Sequence, residues 1–466
     1  MTTADIGGRP TEGVDAAMAE AEGSGLSPWS ALVGVPHVDI APHRQPITAE
    51  IALPGSKSYT NRALLCAGMA EGRSVLTGLL RSDDSFWCLD SLRRLGAGAS
   101  VDGTTVTIDG LGRRRPRPEA RLYIGSAGTT ARFLPGLLAA GGPGAFTVDA
   151  SRQMRGRPMA PLLLALRQLG ADIDCPETPD APPFTVRGVS LLGGPVRLSG
   201  ALSSQFISGV LMAGPMALNG VHVIIDDHVV QRDYVAMTLD MMEQFGAVVE
   251  ADADLSEMRV ETGGYRPADV TLEADASTAT YFFALAAVTG GTVTVTNVGT
   301  ATRQPDLRFI DVLERMGCRV TRRPDAVTVA GPTGGRLTGG IDVDMRPLSD
   351  ATLTLAVLAP FADGPIAIHG VAHIRKHESD RIAVICAALT ALGITVEERP
   401  DGLTVHPGRP THGVMATHDD HRVAMALAVL GVAAEGVRLQ DPGCVSKTCP
   451  PFFDRLADLG IGVTVG

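Results

Sequence analysis

The chain has 466 residues, of which 45% are hydrophobic and 20% charged, so it can form two domains with cores and is too apolar to be disordered. Its 40 basic and 51 acidic side chains give a formal net charge of −11. A nucleic acid or an anionic membrane would require a broad basic face, so this charge argues against both partners. The 54 glycines, 31 prolines and 4% aromatic residues indicate a layered α/β protein with short connections.

The N-terminal segment, the longest apolar run and the cysteines indicate the cellular compartment of the protein. Residues 1–39 contain acidic side chains and no basic stretch followed by an apolar one, so they predict a disordered leader rather than a signal peptide. The longest apolar run, at 353–362, is broken by Pro360 and is too short to cross a bilayer. The seven cysteines are scattered without a Cys-x-x-Cys pair, which is typical of reduced thiols in a cytoplasmic protein.

An internal repeat is the strongest architectural signal. A helical apolar pattern ending in a large apolar residue and a glycine, and followed by a strand-like run, occurs six times after residue 45. The six glycines are Gly96, Gly170, Gly246, Gly317, Gly393 and Gly460. Glycine at such a position predicts a left-handed helix cap.

The repeat unit combines a helix with paired strands. In the second copy the apolar residues Met159, Leu162, Leu163, Leu166 and Leu169 are three or four positions apart, which predicts one face of a helix. In the fifth copy, Ile394–Glu398 and Leu403–Val405 read as strands joined by a turn at 401–402. Neighbouring copies must pack together to bury both faces, and the long period favours a closed, pseudo-symmetric assembly over a solenoid.

Small and polar residues cluster where strands lead into helices in the first half of the chain. Residues 53–62 place Ser56, Lys57 and Ser58 at a helix start, where free backbone N–H groups attract anions. The segment lacks the spacing of a Walker A loop, and simple helix capping is the alternative. Residues 125–132 and 201–206 have the same design, and residues 152–157 add a basic cluster.

Candidate acid and base groups follow in the second half. His377 and Glu378 lie among arginines, and a carboxylate flanked by cations stays ionised unless burial raises its pKa. Asp350 precedes an apolar helix, for which the alternative role is an N-cap. His418 and His421 have a spacing that suits a metal ion, although the adjacent Arg422 favours an anion.

As a set, these motifs resemble the 5-enolpyruvylshikimate-3-phosphate synthase family, from about residue 45 to the end. In family order they are Leu-Pro-Gly-Ser-Lys-Ser at 53–58, Gly-x-Ala-Gly-Thr at 125–129 with Arg132, Arg-Pro at 157–158, Ser-Ser-Gln at 203–205, Ser-Asp-Ala at 349–351, His-Glu-Ser-Asp-Arg at 377–381, Asp-His-Arg at 420–422 and Ser-Lys-Thr at 446–448.

The resemblance implies an α/β fold, a two-domain inside-out α/β barrel built from six βαβαββ repeats, three in each domain. The family joins its domains by two crossover strands and binds its substrates between them. Residues 40–53 plus 274–466 would form the lower domain and 54–273 the upper domain, after the leader of residues 1–39.

The implied reaction transfers the enolpyruvyl group of phosphoenolpyruvate to the 5-hydroxyl of shikimate 3-phosphate and releases phosphate. The C–O bond of phosphoenolpyruvate breaks, through addition to a tetrahedral intermediate and elimination. The resemblance implies no cofactor and no metal, a cytoplasmic monomer, and two small-molecule substrates with neither nucleic acid nor membrane as partner. Glyphosate would compete with phosphoenolpyruvate at Gly128.

The resemblance assigns the functional residues of the family to matching positions of this sequence. The predicted catalytic residues are Lys57, Asp350 and Glu378, with Asp350 as the base for the hydroxyl and Glu378 with Lys57 exchanging the proton of the methylene carbon. Phosphoenolpyruvate would be held by Lys57, Gly128, Arg132, Arg157, Arg381, Arg422 and Lys447. Shikimate 3-phosphate would be held by Ser58, Arg62, Ser203, Ser204, Gln205, Tyr234, Asp350 and His377.

Three positions depart from the common family pattern and leave alternatives open. Ser126 replaces the usual Asn, His377 a frequent Lys, and Gln231 a phosphate-binding Ser. A specialised paralogue that uses another cyclic alcohol is therefore one alternative, and a non-catalytic binding protein on the same scaffold is another. The sister family that modifies a UDP-amino sugar carries a loop Cys, which residues 151–157 lack.

Overall fold

The computed structural model describes residues 25–114, 116–188 and 190–466, which form two compact units. Unit 1 consists of residues 25–29 with Gly55–Leu272, and unit 2 consists of Ser30–Pro54 with Glu273–Gly466. The divisions after Pro54 and Leu272 lie within one residue of the domain limits expected from the sequence.

The expectation of a disordered leader at residues 1–39 requires a correction. Its first 24 residues lie outside the described residues, but residues 25–39 are folded. Ser27 binds Asp83, and the strand His37–Ile40 lies between two strands from the C-terminal part of the chain. Unit 2 therefore begins at Ser30 rather than at residue 40, because that strand completes a sheet whose other members are remote in sequence.

Each unit contains three four-stranded sheets within the described residues, and all six sheets share one pattern. The first strand is parallel to the second, the second antiparallel to the third, and the third antiparallel to the fourth. In sheet order, the strands of unit 1 are Val270–Thr271, Arg73–Thr77, Thr105–Asp109 and Gly98–Asp102; Glu119–Tyr123, Gly144–Asp149, Phe184–Gly188 and Asp172–Asp174; Gly194–Leu198, Val221–Ile225, Glu257–Val260 and Val249–Ala251.

Unit 2 repeats this sheet pattern, but two of its sheets include strands from residues 37–51, far from their partners in the sequence. Its strands, in sheet order, are Thr48–Ile51, Thr292–Val295, Val327–Ala330 and Arg319–Arg322; Ile341–Asp344, Ile366–His369, Gly402–Val405 and Val396–Arg399; Gly413–Ala416, Val437–Gln440, His37–Ile40 and Val463–Val465. The first and third sheets thus depend on strands that precede Gly55–Leu272, the main segment of unit 1, in the sequence.

Helices connect the strands of every repeat. Those of unit 1 are Lys57–Met69, Asp83–Leu95, Gly128–Ala140, Arg152–Arg155, Ala160–Gln168, Ser204–Ala213 and Arg232–Gln244, with a 3₁₀ turn at Gly214–Met216. Those of unit 2 are Ala276–Thr289, Phe309–Arg315, Thr352–Leu358, Arg381–Ala391, His421–Ala433 and Phe452–Asp458, with 3₁₀ segments at Pro305–Arg308, Thr333–Gly335, Arg346–Ala351, Ala359–Phe361, Ala372–Lys376 and Pro442–Lys447. None of the described helices is long and apolar enough to cross a membrane.

The core of each unit consists of helices that are buried on nearly every side. In unit 1 the helix Gly128–Ala140 packs between Lys57–Met69 and Ser204–Ala213, and in unit 2 Ala276–Thr289, Thr352–Leu358 and His421–Ala433 all contact one another. Helices that are apolar all round require such positions. With the helices inside and the sheets around them, the fold is the two-domain inside-out α/β architecture.

The predicted sixfold repeat is confirmed at its helix ends. All six glycines have left-handed backbone conformations, with φ between +77° and +106°. The predicted apolar stripe of the second copy is also confirmed, because its five residues are at most 1% exposed. The fifth-copy turn lies one position earlier than predicted, since Arg399 pairs with Gly402.

Replacing one repeat glycine tests the conformational requirement separately from packing. Gly393 has a φ of +86°, and a Cβ there would meet no atom within 4 Å. We expect Gly393→Ala to lower the free energy of unfolding by ~1–2 kcal/mol, the cost of a left-handed alanine. Denaturant titration measures this difference.

Gly263→Ala is the matched control. A Cβ at Gly263 also meets no atom within 4 Å, and its φ is not positive. Its free energy of unfolding should stay constant or rise by ~0.4–1 kcal/mol. Equal losses in the two variants would contradict the assignment of the left-handed cap.

Candidate active site

The first predicted anion site of unit 1 is the start of a buried helix. The Ser56 side chain accepts a hydrogen bond from the Tyr59 N–H and caps the helix, of which Lys57 is the first residue. The Nζ atom of Lys57 lies 4.0 Å from Oδ2 of Asp84, whose side chain is 2% exposed. A capping serine and a cation therefore coexist at this helix start, and Asp84 holds the ammonium group of Lys57 near the helix terminus.

A second helix start carries two arginines beside a glycine. Gly128 is the first residue of the helix Gly128–Ala140. A Cβ at Gly128 would lie 3.0 Å from Nη1 of Arg157 and 3.2 Å from Nη1 of Arg132. Free N–H groups at a helix N-terminus together with guanidinium groups form a strong anion-binding arrangement. A side chain at Gly128 would therefore crowd both guanidinium groups.

Arg132 connects the helix start at Gly128 to the segment that follows Arg157. Its Nη1 donates to the carbonyl of Gly128 at 3.2 Å and contacts the sulfur of Met154 at 3.3 Å, and its Nη2 donates to the carbonyl of Pro158 at 2.9 Å. Arg132 therefore ties the helix start to the segment that carries Arg157.

Arg62 organises the residues predicted to bind shikimate 3-phosphate. It is 1% exposed, and it donates to the carbonyls of Ser58 and Tyr234 at 2.9 and 3.0 Å and to Oγ1 of Thr238 at 2.7 Å. Its guanidinium group also lies 4.9 Å from the ring centre of Phe133. Burial lowers its pKa to about 10. Arg62 thus links Ser58 with Tyr234 inside the unit.

Two further helix starts complete the unit 1 set. Ser203 caps the helix Ser204–Ala213, with its Oγ accepting from the N–H of Gln205 at 3.2 Å. Tyr234 lies in the first turn of the helix Arg232–Gln244, which Gln231 precedes with a left-handed φ of +52° and no side-chain cap. The departure at Gln231 therefore coincides with an unusual backbone conformation.

The predicted residues of unit 2 meet around one buried guanidinium group. Arg381 is 1% exposed, and its Nε and Nη2 donate to the two oxygens of Asp420 at 2.9 and 3.2 Å. Nη1 donates to Oδ1 of Asp350 at 3.1 Å, and Nη2 donates to Oε2 of Glu378 at 2.8 Å. Burial opposes the charged form, but the three carboxylates outweigh it and raise the pKa of Arg381.

Asp350 is held by a second arginine and does not cap the following helix. Nη2 of Arg422 donates to Oδ2 of Asp350 at 2.7 Å. The helix that follows begins at Thr352, and its N-cap position is Ala351, which makes no side-chain cap bond. The alternative role of Asp350 as an N-cap is therefore wrong.

Glu378 has a cationic partner at each oxygen. In addition to Arg381 at Oε2, the Nζ of Lys447 lies 3.1 Å from Oε1, and both the Glu378 and Lys447 side chains are 7% exposed. The Nδ1 atom of His377 lies 3.1 Å from Nη1 of Arg381. Arginine can donate there only when Nδ1 carries no proton, which leaves Nε2–H of His377 as the available donor.

These clusters include two acidic residues, Asp420 and Asp84, to which the sequence analysis assigned no role. Asp420 is fully buried, binds Arg381 through both oxygens, and accepts from the N–H of Arg422 at 3.0 Å. Asp84 pairs with Lys57. The position of Asp420 before an apolar helix was a signal for it, whereas nothing local distinguishes Asp84 from its neighbour Asp83.

The structure thus places the predicted residues in two sets. Unit 1 contains Lys57, Ser58, Arg62, Gly128, Arg132, Arg157, Ser203, Ser204, Gln205 and Tyr234. Unit 2 contains Asp350, His377, Glu378, Arg381, Arg422 and Lys447. Asp350, Glu378, Arg381, Arg422 and Lys447 form one network of ion pairs, and His377 contacts it through Arg381.

The profile of the family described as EPSP synthase (3-phosphoshikimate 1-carboxyvinyltransferase) matches residues 42–456. The chain belongs to this family. A curated relative from Halalkalibacterium halodurans, 3-phosphoshikimate 1-carboxyvinyltransferase 2, is 49% identical over 94% of this chain and 97% of the relative. The chloroplastic 3-phosphoshikimate 1-carboxyvinyltransferase of Arabidopsis thaliana is 42% identical over 88% of this chain and 82% of the relative.

Solved structures agree with the fold of the family. EPSP synthase from Acinetobacter baumannii matches with a TM-score of 0.78 and 26% identity, over 92% of this chain and all of that one. The enolpyruvyl transferase NikO from Streptomyces tendae matches with a TM-score of 0.73 over 92% of this chain and 99% of that one. At 20% identity the second likeness shows the fold alone.

A matched pair of substitutions tests the energetic role of the buried cluster. We expect Asp420→Asn to lower the free energy of unfolding by ~3–5 kcal/mol, because Arg381 would lose a bidentate carboxylate in a buried site. Denaturant titration of the full chain measures this loss.

The control uses an equivalent pair at the surface. Arg438 binds both oxygens of Asp39 at 2.7 and 2.8 Å, but the two side chains are 43% and 33% exposed. Asp39→Asn should change the free energy of unfolding by only ~0–1 kcal/mol. A surface variant as damaging as Asp420→Asn would show that burial is not the source of the effect.

Proposed function

We propose that the chain transfers the enolpyruvyl group of phosphoenolpyruvate to the 5-hydroxyl of shikimate 3-phosphate, giving 5-enolpyruvylshikimate 3-phosphate and phosphate. The observation that carries this proposal is the unit 2 network, in which Asp350 and Glu378 share the buried Arg381. Two carboxylates held rigidly among cations suit a reaction that moves protons while anions are bound.

The proposed chemistry has two steps, which balance in atoms and charge. In the addition, the hydroxyl oxygen bonds to C2 of phosphoenolpyruvate, the hydroxyl proton goes to a base, and the methylene carbon gains a proton. In the elimination, the resulting methyl group loses a proton and the C–O bond to phosphate breaks. The protein must therefore supply one group that accepts a proton from oxygen and another that gives and takes one at carbon.

Asp350 suits the first role. Its two oxygens accept from different arginines, Arg381 and Arg422, which fix the plane of the carboxylate. Its side chain is 18% exposed, so it is more accessible than the other two carboxylates of the network. A positioned and accessible carboxylate can accept the proton of a substrate hydroxyl.

Glu378 suits the second role. Lys447 and Arg381 hold one oxygen each, so the carboxylate has a defined orientation. The same two cations offset the negative charge that a phosphate ester brings. Glu378 can therefore take a proton during elimination without being displaced by the substrate.

The unit 1 residues suit anion binding. Lys57 and the Gly128 helix start, flanked by Arg132 and Arg157, would hold phosphoenolpyruvate. Ser58, Ser203, Ser204, Gln205 and Tyr234, organised in part by Arg62, would hold shikimate 3-phosphate. We assign Arg381, Arg422 and Lys447 to phosphoenolpyruvate and His377 to the phosphate of the acceptor.

Phosphate release tests the proposal directly. The purified chain is mixed with phosphoenolpyruvate and shikimate 3-phosphate, and phosphate is measured with each substrate omitted in turn. We expect release only when both are present. Release with another cyclic alcohol but not with shikimate 3-phosphate would establish the paralogue instead, and binding without release would establish the binding protein.

We also propose that the chain acts as a monomer in the cytoplasm. All seven cysteines are free and six of them are buried, which fits a reducing compartment. Sedimentation of the purified chain at the mass of one copy, 48.5 kDa, would support the monomer, and a doubled mass would contradict it.

Asp350→Asn tests the assignment of the base. The amide keeps the shape of the side chain but cannot accept the hydroxyl proton, so we expect kcat to fall by ~10²–10⁴-fold with little change in either KM. Asp344→Asn is the control, because Asp344 is exposed, its side chain accepts from the N–H of Arg346 at 2.9 Å, and it is not among the residues assigned to the site. Full activity of Asp350→Asn would show that another group is the base.

Gly128→Ala tests the anion site of unit 1. The added Cβ would lie 3.0 Å from Arg157 and 3.2 Å from Arg132. We expect the KM for phosphoenolpyruvate to rise by about tenfold, equivalent to ~1.4 kcal/mol, and inhibition by glyphosate to weaken. Gly156→Ala is the control, since its Cβ would meet nothing closer than 3.7 Å. An unchanged KM in Gly128→Ala would remove Gly128 from the binding site.

A further inference from the structure

Residues 25–32, here called the N-terminal arm, precede the first strand and lie ahead of the matched family region, which begins at residue 42. In unit 1, both the N–H and the hydroxyl of Ser27 donate to Oδ1 of Asp83, at 3.0 and 2.6 Å. Both residues are buried, at 7% and 5% exposure. Hydrogen bonds to a charged acceptor are about twice as strong as neutral ones, so this is a firm attachment.

A second attachment, at Gly25, holds the arm close to Ser126 in the loop before Gly128. The indole N–H of Trp87 donates to the carbonyl of Gly25 at 2.9 Å. Gly25 has a φ of +71°, and a Cβ there would lie 2.4 Å from Oγ and 2.9 Å from the backbone nitrogen of Ser126. Only glycine fits this contact. Ser126 is the position at which the sequence departs from the family pattern.

The contacts of the arm lead directly to the groups assigned to phosphoenolpyruvate. Ser126 is two residues ahead of Gly128, and its Oγ lies 2.7 Å from Oγ of Ser151, which caps the turn before Arg157. Asp83 is adjacent to Asp84, the partner of Lys57. The arm therefore contacts Ser126, two residues ahead of Gly128, and Asp83, the chain neighbour of the residue that pairs with Lys57.

The arm ends in unit 2 with a similar contact. The N–H of Ala31 donates to Oγ of Ser446 at 2.9 Å, and the same hydroxyl donates to the carbonyl of Ala31 at 3.0 Å. Ser446 is fully buried and adjacent to Lys447, which pairs with Glu378. The backbone of Ala31 thus satisfies the hydroxyl group of Ser446, which is adjacent to Lys447, another residue assigned to phosphoenolpyruvate.

We propose that the N-terminal arm is a positioning element for the phosphoenolpyruvate-binding residues, with Gly25 and Ser27 fixing the loops of Ser126 and Asp83 and Ala31 fixing the turn of Ser446. This inference rests on the proposed function, which assigns Lys57, Gly128 and Lys447 to that substrate.

Ser27→Ala tests the arm kinetically. It removes the donor to Asp83 and the acceptor of the Trp29 N–H at 3.0 Å. We expect the KM for phosphoenolpyruvate to rise about five- to tenfold, the effect of about one ordinary hydrogen bond, with kcat and the KM for shikimate 3-phosphate within about twofold. Ser27→Thr, which keeps the hydroxyl, should recover most of the affinity.

Two further variants separate positioning from folding. Pro28→Ala changes the exposed neighbour of Ser27 and should leave all kinetic constants unaltered. Gly25→Ala pushes a Cβ onto Ser126 without touching the Ser27 contact and should again raise the KM for phosphoenolpyruvate selectively. A lower thermal midpoint with unchanged KM values, or equal rises in both KM values, would overturn the proposal.

A second measurement does not depend on turnover. The two tryptophans of the chain, Trp29 and Trp87, both lie at the arm, with Trp29 edge-on to Phe86 at 5.4 Å between ring centres. Titration with phosphoenolpyruvate should change tryptophan emission in the unaltered chain and require about five- to tenfold more ligand in Ser27→Ala. An emission change with no phosphate release would refute the proposed function alone, whereas identical titrations of the two proteins would refute the role of the arm.

Discussion

The structure depends on helices that are buried on nearly every side. Such a helix must still satisfy the free N–H groups of its first turn. Capping groups, glycines and charged side chains therefore collect where these helices begin. In unit 1 the starts are marked by Ser56 and Lys57, by Gly128, and by Ser203, and in unit 2 Asp420 caps the helix His421–Ala433. The constraint that builds the core thus also creates the positions at which anions can bind.

Charge is distributed differently in the two units. In unit 2, the cations Arg381, Arg422 and Lys447 face the carboxylates Asp350, Glu378 and Asp420, so the buried charges compensate one another. In unit 1, Asp84 pairs with Lys57, and Arg132 donates to the carbonyls of Gly128 and Pro158 and to the sulfur of Met154. Under the proposed function, unit 1 supplies helix starts with cationic side chains for the anionic substrates, and unit 2 supplies oriented carboxylates as proton acceptors. A chain with a net charge of −11 achieves both by local placement rather than by a general basic field.

Features that are encoded locally could be predicted. The left-handed glycines and the helix starts at Lys57 and Gly128 each depend on a few consecutive residues, and the structure has them as expected. The folded segment 25–39 could not be predicted, because its strand is completed by residues near the other end of the chain. The contacts that Arg62 makes inside the unit could not be predicted either, because no spacing rule indicates its carbonyl, hydroxyl and aromatic partners.

The sequence by itself determined the six repeats, the helix starts at which anions can bind, and the family to which the chain belongs. Only the tertiary structure decided which charges are partners. Asp350 lies 31 residues from Arg381 and 72 residues from Arg422, and both arginines reach it because their helices are packed in one core. The same holds for Asp420 and for the arm that carries Ser27. Local sequence specifies where a helix begins, whereas the partner of a buried charge depends on which elements the core brings together.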